Sequence, residues 1–567
     1  MADKVEPQRH VAASRPSTTI WWVVVAIAPA LAWYVHFWPH FQAANESTRL
    51  YLTESLFEYG RPELDAVVAR RGVDPVDCRA NADHIYASHG PGLAVLSVPL
   101  YAAVRSLDPT VEERGLWRVG WLATLILVTL PWLLALAALA RASVRAGAST
   151  RSSLAAVLAI ALASPALIYA TLFFGHVLAT ACIGGALALL VALPGSLGQP
   201  GSPGQPGSLG KSRARRNRLL AAGLLAGLAG LVDTPVFMLA VALWGLAMLA
   251  MNEGSIAERA RATWIFAATV AGLFLVWLGW HAWSLGEAFV FPWQLPPAVD
   301  GATPTGFAGL RLPSLDAMGG LWFGARRGLI YHAPWLAAAG LGHVLVLRDQ
   351  GRRTPAGRLA LFCLTAVAVY AVFVSSFAGW DQDDSAGARH LLPIVPLLGL
   401  GLAPLLDRRL SSSALAGVYA SVLIGVALHA PTVASFPYHF KQIPSPALEL
   451  AWPLLITGSS SASLGSIVGA GHVTSLICFA GLLIAPWLLL LRRTAPPASA
   501  AAFAPRVFVA RVSLTIAFLA LWATVAVSTI PVPRRAVQGG RFIAAQLLDP
   551  AHGRVTGTVR RVPRPAP

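Results

Sequence analysis

Long apolar runs alternate with short polar ones from near the start of the chain to about residue 530. Runs close to a bilayer-spanning length recur at Ile20–Trp38, Trp117–Ala140, Thr263–Trp280 and Ser475–Leu491, since about 20 apolar residues cross the hydrocarbon core as a helix. Backbone in lipid must satisfy its own hydrogen bonds, so each run predicts a helix. The pattern predicts fourteen candidates: 20–39, 91–105, 117–140, 153–171, 175–194, 219–232, 235–251, 263–281, 329–347, 359–378, 391–406, 411–430, 471–491 and 512–530.

Charge changes that count. If all fourteen crossed, Arg141, Arg145, Arg151 and the cluster from Lys211 to Arg218 would face outside, against the cytoplasmic bias of cations in short loops. Removing one early crossing corrects every later loop, and the candidate to remove is Gly90–Arg105, a short run that opens with Gly90, Pro91 and Gly92. The expectation is therefore an all-α polytopic membrane protein with about 13 transmembrane helices. The N-terminus is cytoplasmic, the C-terminus is outside, and the 90–105 segment lies on the outer surface. The expected divisions are a cytoplasmic tail at 1–19, a catalytic membrane region at 20–406, further helices at 407–530 and an outer tail at 531–567. Within the second fall a first outer loop at 40–116 and a disordered cytoplasmic linker at 195–218, which is rich in Gly, Pro and Ser.

Composition agrees with lipid as the solvent. The 567 residues are 56% hydrophobic and 12% charged, with a mean hydropathy of +0.61. The net charge of +17 is spread over loop clusters and forms no basic face, so no nucleic-acid partner is expected. The first apolar run lacks a small-residue cleavage site and reads as a retained helix. Cys78, Cys182, Cys363 and Cys478 have no paired spacing and define neither disulfides nor a metal site.

Ionisable groups are costly in lipid, so chemistry is sought at helix ends and in loops, and there the polar groups gather on the outer side. Glu46 and Arg49 are one turn apart. Glu46 is either a general base on an acceptor hydroxyl or half of an interfacial ion pair. Asp83, His84, Tyr86 and His89 precede a Gly-Pro-Gly helix start, a setting suited to an anion. Arg326 and Arg327 stand before another helix, and Arg389 follows Asp381, Asp383 and Asp384; guanidinium groups bind phosphate bidentately. The three acids are either a solvated turn or a weak candidate for a divalent cation, and no resident cofactor is expected. His176 and Asp233 are lone ionisable groups at outer helix ends that either line a site or cap a helix. No phosphate-binding loop, HExxH helix or soluble nucleotide-sugar domain is present, so a donor would arrive through the membrane.

Four blocks carry a resemblance. NESTRLYLTESLFEYGRPELD, DHIYASHGPGLAVLSVPLYA, GLRLPSLDAMGGLWFGARRGLIYHAPW and GWDQDDSAGARHLLPIVPLL resemble, in order, conserved blocks of bacterial GT-C superfamily membrane glycosyltransferases, which include protein mannosyltransferases and the aminoarabinose transferase of lipid A. The resemblance spans about residues 20–406. It implies an inverting hexosyl- or pentosyltransferase of the plasma membrane, with its site facing the outside or periplasm. The donor would be a polyprenyl-phosphate sugar and the acceptor an envelope glycan, lipid or protein. Glu46 matches the catalytic acid, and His89 stands where relatives carry Lys or His. Arg49, His84, Tyr86, His89, His176, Arg326, Arg327 and Arg389 are the expected substrate and phosphate contacts. Asn45 stands where some relatives have a second acid. The alternative function is a transporter or flippase of a lipid-linked precursor, for which internal repeats and a midplane site would be expected.

Overall fold

The computed structural model describes residues 16–34, 44–72, 77–108, 116–193, 208–250, 255–298, 309–381, 385–438, 443–494 and 505–529, apart from 457, 459 and 462. The described chain is mostly helical. Five helices are long and apolar enough to cross a membrane: Arg118–Arg145, Ile256–Leu285, Pro355–Val374, Ser412–Ala434 and His472–Arg493. Shorter apolar helices lie before and between them, including Gly92–Leu107, Thr150–Leu162 and Gly175–Val191. Trp264, Leu275 and Val276 of the Ile256–Leu285 helix are exposed. An uncovered apolar surface of this kind belongs against lipid, and the protein is a membrane protein.

Gly175–Val191 is the centre of the bundle, buried on almost every side. It packs between Arg118–Arg145 and Ser208–Val232, and the latter packs on Ile256–Leu285. Helices that are apolar all round are buried in this way.

Several expectations are corrected. The helix expected at 219–232 begins at Ser208, so the stretch from Ser208 to Arg218 is helical; the rest of the expected linker, 195–207, lies outside the described residues. A run of Arg and Ala sustains a helix where Gly and Pro do not. The run at 391–406 is broken into a 3-10 turn, Arg389–Ile394, and two short helices, Val395–Gly399 and Leu402–Leu406. Pro393, Pro396 and Pro404 each lack the N–H that a continuous helix needs. The first loop carries helices at Ala44–Glu58 and Asp65–Arg71 and an antiparallel hairpin, Cys78–Asn81 with His84–Ala87. The fold is thus not wholly α. The tail at 531–567 lies outside the described residues.

Glycines seat this loop on the bundle. A Cβ on Gly90 would lie 2.7 Å from the Leu231 carbonyl oxygen, and one on Gly92 2.8 Å from the same peptide. Only glycine lets the start of the Gly92–Leu107 helix approach the 231–233 turn so closely.

Candidate functional site

Three segments distant in sequence meet where Gly175–Val191 begins and Ser208–Val232 ends. The Ala44–Glu58 helix presents Asn45, Glu46 and Arg49. The hairpin and its flanks present Asp77 and His89. The 3-10 turn presents Arg389 and His390.

Glu46 is fully buried, 0% exposed. The Phe173 N–H donates to its Oε1 at 2.9 Å and the Tyr438 hydroxyl to its Oε2 at 2.6 Å. Burial pushes its pKa up to about 7, against both of those hydrogen bonds. Arg49 donates from Nε to Asn45 Oδ1 at 3.0 Å and from Nη1 to the Gly90 carbonyl at 3.4 Å. Burial lowers its pKa to about 10, while the nearby carboxylates of Asp233 and Asp77 oppose the shift and Arg389 adds to it. Arg49, Asp77, Asp233 and Arg389 therefore share one electrostatic neighbourhood.

Asp77 and His89 form the pair at its centre. Asp77 Oδ2 lies 2.6 Å from His89 Nε2, and Ser88 Oγ donates to Asp77 Oδ1 at 2.8 Å. Asn45 Nδ2 is 2.7 Å from the same ring nitrogen. Burial pushes the Asp77 carboxyl up, but His89, the Ser88 hydroxyl and Arg389 outweigh it and hold it at about 2. Burial lowers His89 below its ordinary value despite Asp77, and Arg49 and Arg389 add to that lowering.

Across the cluster, His176 Nδ1 lies 2.7 Å from Asp233 Oδ2. The His176 ring faces that of His390 with centroids 5.5 Å apart, and Arg389 Nε points to His390 Nε2 at 3.4 Å. Arg327 is buried and donates to Ser385 Oγ at 3.2 Å. Ser385 pairs through its backbone with Tyr438, the residue that holds Glu46. A chain of contacts thus joins Arg327 to Glu46.

Of the sequence-predicted residues, Glu46, Arg49, His89, His176 and Arg389 fall in this neighbourhood, with Arg327 beside it. His84 does not: it lies on the open side of the hairpin, 3.3 Å from Asp65. Arg326 turns to Asp381, donating to its carbonyl, with the two side chains 3.8 Å apart. Tyr86 lines a groove that also contains His89. Asp383 and Asp384 lie outside the described residues, and among the described residues no three His, Cys, Asp or Glu side chains converge as metal ligands.

Asp77, Asn45 and Tyr438 belong to the site and were not expected from sequence. For Asp77 the available signal was the two-residue strand alternation from Cys78 to Ala87, which brings the two ends of a hairpin, Asp77 and Ser88, together. Tyr438 carries no such signal, because its contact is set by tertiary packing alone.

No family model matches the chain, and no curated protein matches it. Among solved structures it is similar to ArnT from Cupriavidus metallidurans in the apo state, at 16% identity over 89% of this chain and 77% of that one, with a TM-score of 0.49. The same protein bound to undecaprenyl phosphate matches at 17% identity over 88% and 76%, with the same TM-score of 0.49. The apo oligosaccharyltransferase of Archaeoglobus fulgidus matches at 12% identity over 85% of this chain and 59% of that one, with a TM-score of 0.43. The chemistry of the site follows from its own residues.

Proposed function

We propose that the protein is a membrane glycosyltransferase. It moves a sugar from a polyprenyl-phosphate donor to a hydroxyl of an envelope acceptor on the outer face, with inversion at the anomeric carbon. The observation that carries the reading is the meeting of Arg49 and Arg389 around a partly exposed carboxylate and imidazole at one end of a lipid-embedded bundle. Two guanidinium groups suit a departing phosphate, whose charge grows as the glycosidic bond breaks. The four sequence blocks supply the donor class.

Arg49 and Arg389 bind the phosphate in this reading, with Arg327 behind them. Glu46 ties the first loop to the Phe173 turn and to Tyr438. The experiment reconstitutes the full chain in vesicles with a radiolabelled polyprenyl-phosphate sugar and membrane glycans. Labelled glycan together with free polyprenyl phosphate is the expected result. Movement of intact donor between leaflets without its cleavage would favour a flippase.

A further inference from the structure

We propose that the end of the bundle opposite the site binds the headgroup of an anionic phospholipid, in a pocket formed by Leu489, Arg492 and Arg493 beside Trp22. This binding is independent of the reaction performed at the site end.

Contacts bring these residues to one end. Ser153 Oγ donates to Ser143 Oγ at 3.0 Å, in the last turn of the Arg118–Arg145 helix. Ser149 and Ser152 donate to Asp407. From there Thr150–Leu162 runs toward the Phe173 turn of the site, so the Arg145 end of its neighbour lies away from the site. One turn before Arg145, the Arg141 guanidinium lies over the Trp21 ring, 4.7 Å from its centroid. The Arg493 guanidinium lies over the adjacent Trp22 ring at 5.8 Å. The Pro16–Val25 helix thereby joins the Arg118–Arg145 helix to the end of His472–Thr494.

The carboxylates of this end are engaged elsewhere. Asp349 pairs with Arg348 and Arg408, and Asp407 holds Ser149 and Ser152. Among the described residues, Arg141, Arg492 and Arg493 have no carboxylate partner. An indole face steadies a guanidinium but offers its N–H donors no acceptor oxygen. Uncompensated cations of this kind attract an anion, and the planar guanidinium matches a phosphate.

A cavity of about 380 Å³ opens on Leu489, Arg492 and Arg493, within the range of sites that hold small molecules or headgroups. Its flank decides between a lipid and a free phosphate compound. Leu488 and Leu491, on the same helix turn, are exposed, as are Trp21 and Trp22. Leucines there face acyl chains, and tryptophans favour the headgroup level of a bilayer. A phospholipid therefore fits both parts, with its phosphate at Arg492 and Arg493 and its chains along Leu488 and Leu491. Basic pockets between membrane helices recognise anionic headgroups in this way.

The test reconstitutes the full chain in phosphatidylcholine vesicles and measures the affinity for spin-labelled phosphatidylglycerol against spin-labelled phosphatidylcholine. Wild type is compared with Arg492→Gln/Arg493→Gln, with Trp22→Ala, and with Arg352→Gln/Arg353→Gln, which removes the same charge from an exposed turn. Wild type is expected to prefer phosphatidylglycerol. The Arg492→Gln/Arg493→Gln variant should bind it at least about tenfold more weakly. Trp22→Ala, which leaves both arginines in place, should lose about two- to fivefold. The Arg352→Gln/Arg353→Gln control should stay within about twofold, because distant charges are screened. Equal losses in the two double variants would reduce the effect to diffuse attraction and overturn the proposal. So would a wild type without preference between the two lipids, or a Trp22→Ala and an Arg492→Gln/Arg493→Gln that bind as wild type does. Displacement of the labelled lipid by soluble glycerol phosphate at matched concentration would assign the pocket to a free phosphate compound and overturn its assignment to lipid.

Discussion

At the site end of the bundle, His176 and Asp233 meet at 2.7 Å with 5% and 10% of their side chains exposed. At the far end of the Trp335–Gln350 helix, Arg348 and Asp349 meet at the same 2.7 Å with 69% and 37% exposed. Arg408 joins the second pair at 2.6 Å, and neighbouring Asp407 accepts from Ser149 and Ser152. The distances match, but the environments do not. Exposed pairs gain little because water screens them, whereas buried ions are costly unless each is matched. The far end thus carries charge that solvent tolerates. The site end carries charge that the fold must hold in place.

That contrast orders the expected effects. Arg389→Ala should be largest, lowering turnover by about 10²–10³, the scale on which a single charge-stabilising donor contributes. The measurement is donor cleavage at saturating donor, with Arg389→Lys retaining part of the rate. Arg49→Met comes next. It removes one of the cations that face Asp77 and Asp233 and the donor to the Asn45 and Gly90 oxygens, and should cost about 1–3 kcal/mol of stability, read as a lower Tm in detergent.

Glu46→Gln probes the same burial through pH. The pKa of Glu46 is raised in the folded protein, so between the ordinary carboxylate range and about 7 the folded state binds more protons than the unfolded chain. Stability therefore falls as pH rises through that window. The variant, which does not ionise, should gain Tm relative to wild type between about pH 5 and about pH 8. A constant difference across that range would show that Glu46 is not held in a desolvated position. Asp349→Ala should be smallest, within about 1 kcal/mol and without effect on turnover. A large loss there would erase the distinction between the two ends.

The helices were legible because a membrane imposes a length and a composition, and each of the five long spans lies over an expected run. Helix ends were less legible. Ser208–Arg218 reads as linker because its composition is polar and basic, but helix propensity carries it into the following span. The site was half legible: Glu46, Arg49, His89, His176 and Arg389 were expected and share one neighbourhood. Asp77 escaped notice because its importance comes from a hairpin only four residues long on each side, too short for alternation to stand out. Tyr438 escaped because the contact joins residues 392 apart in sequence, and no local pattern encodes such a meeting. The grouping of His84 with His89 also failed for a local reason, since the strand places His84 beside Asp65 and away from the cluster.

The most direct measurement is cleavage of a radiolabelled polyprenyl-phosphate sugar in vesicles by wild type, Arg389→Ala and Asp349→Ala side by side. The expected result is free polyprenyl phosphate matched by labelled acceptor in wild type and Asp349→Ala, with at least about a hundredfold loss in Arg389→Ala. Equal release by all three, or intact donor crossing the bilayer without cleavage, would contradict the account.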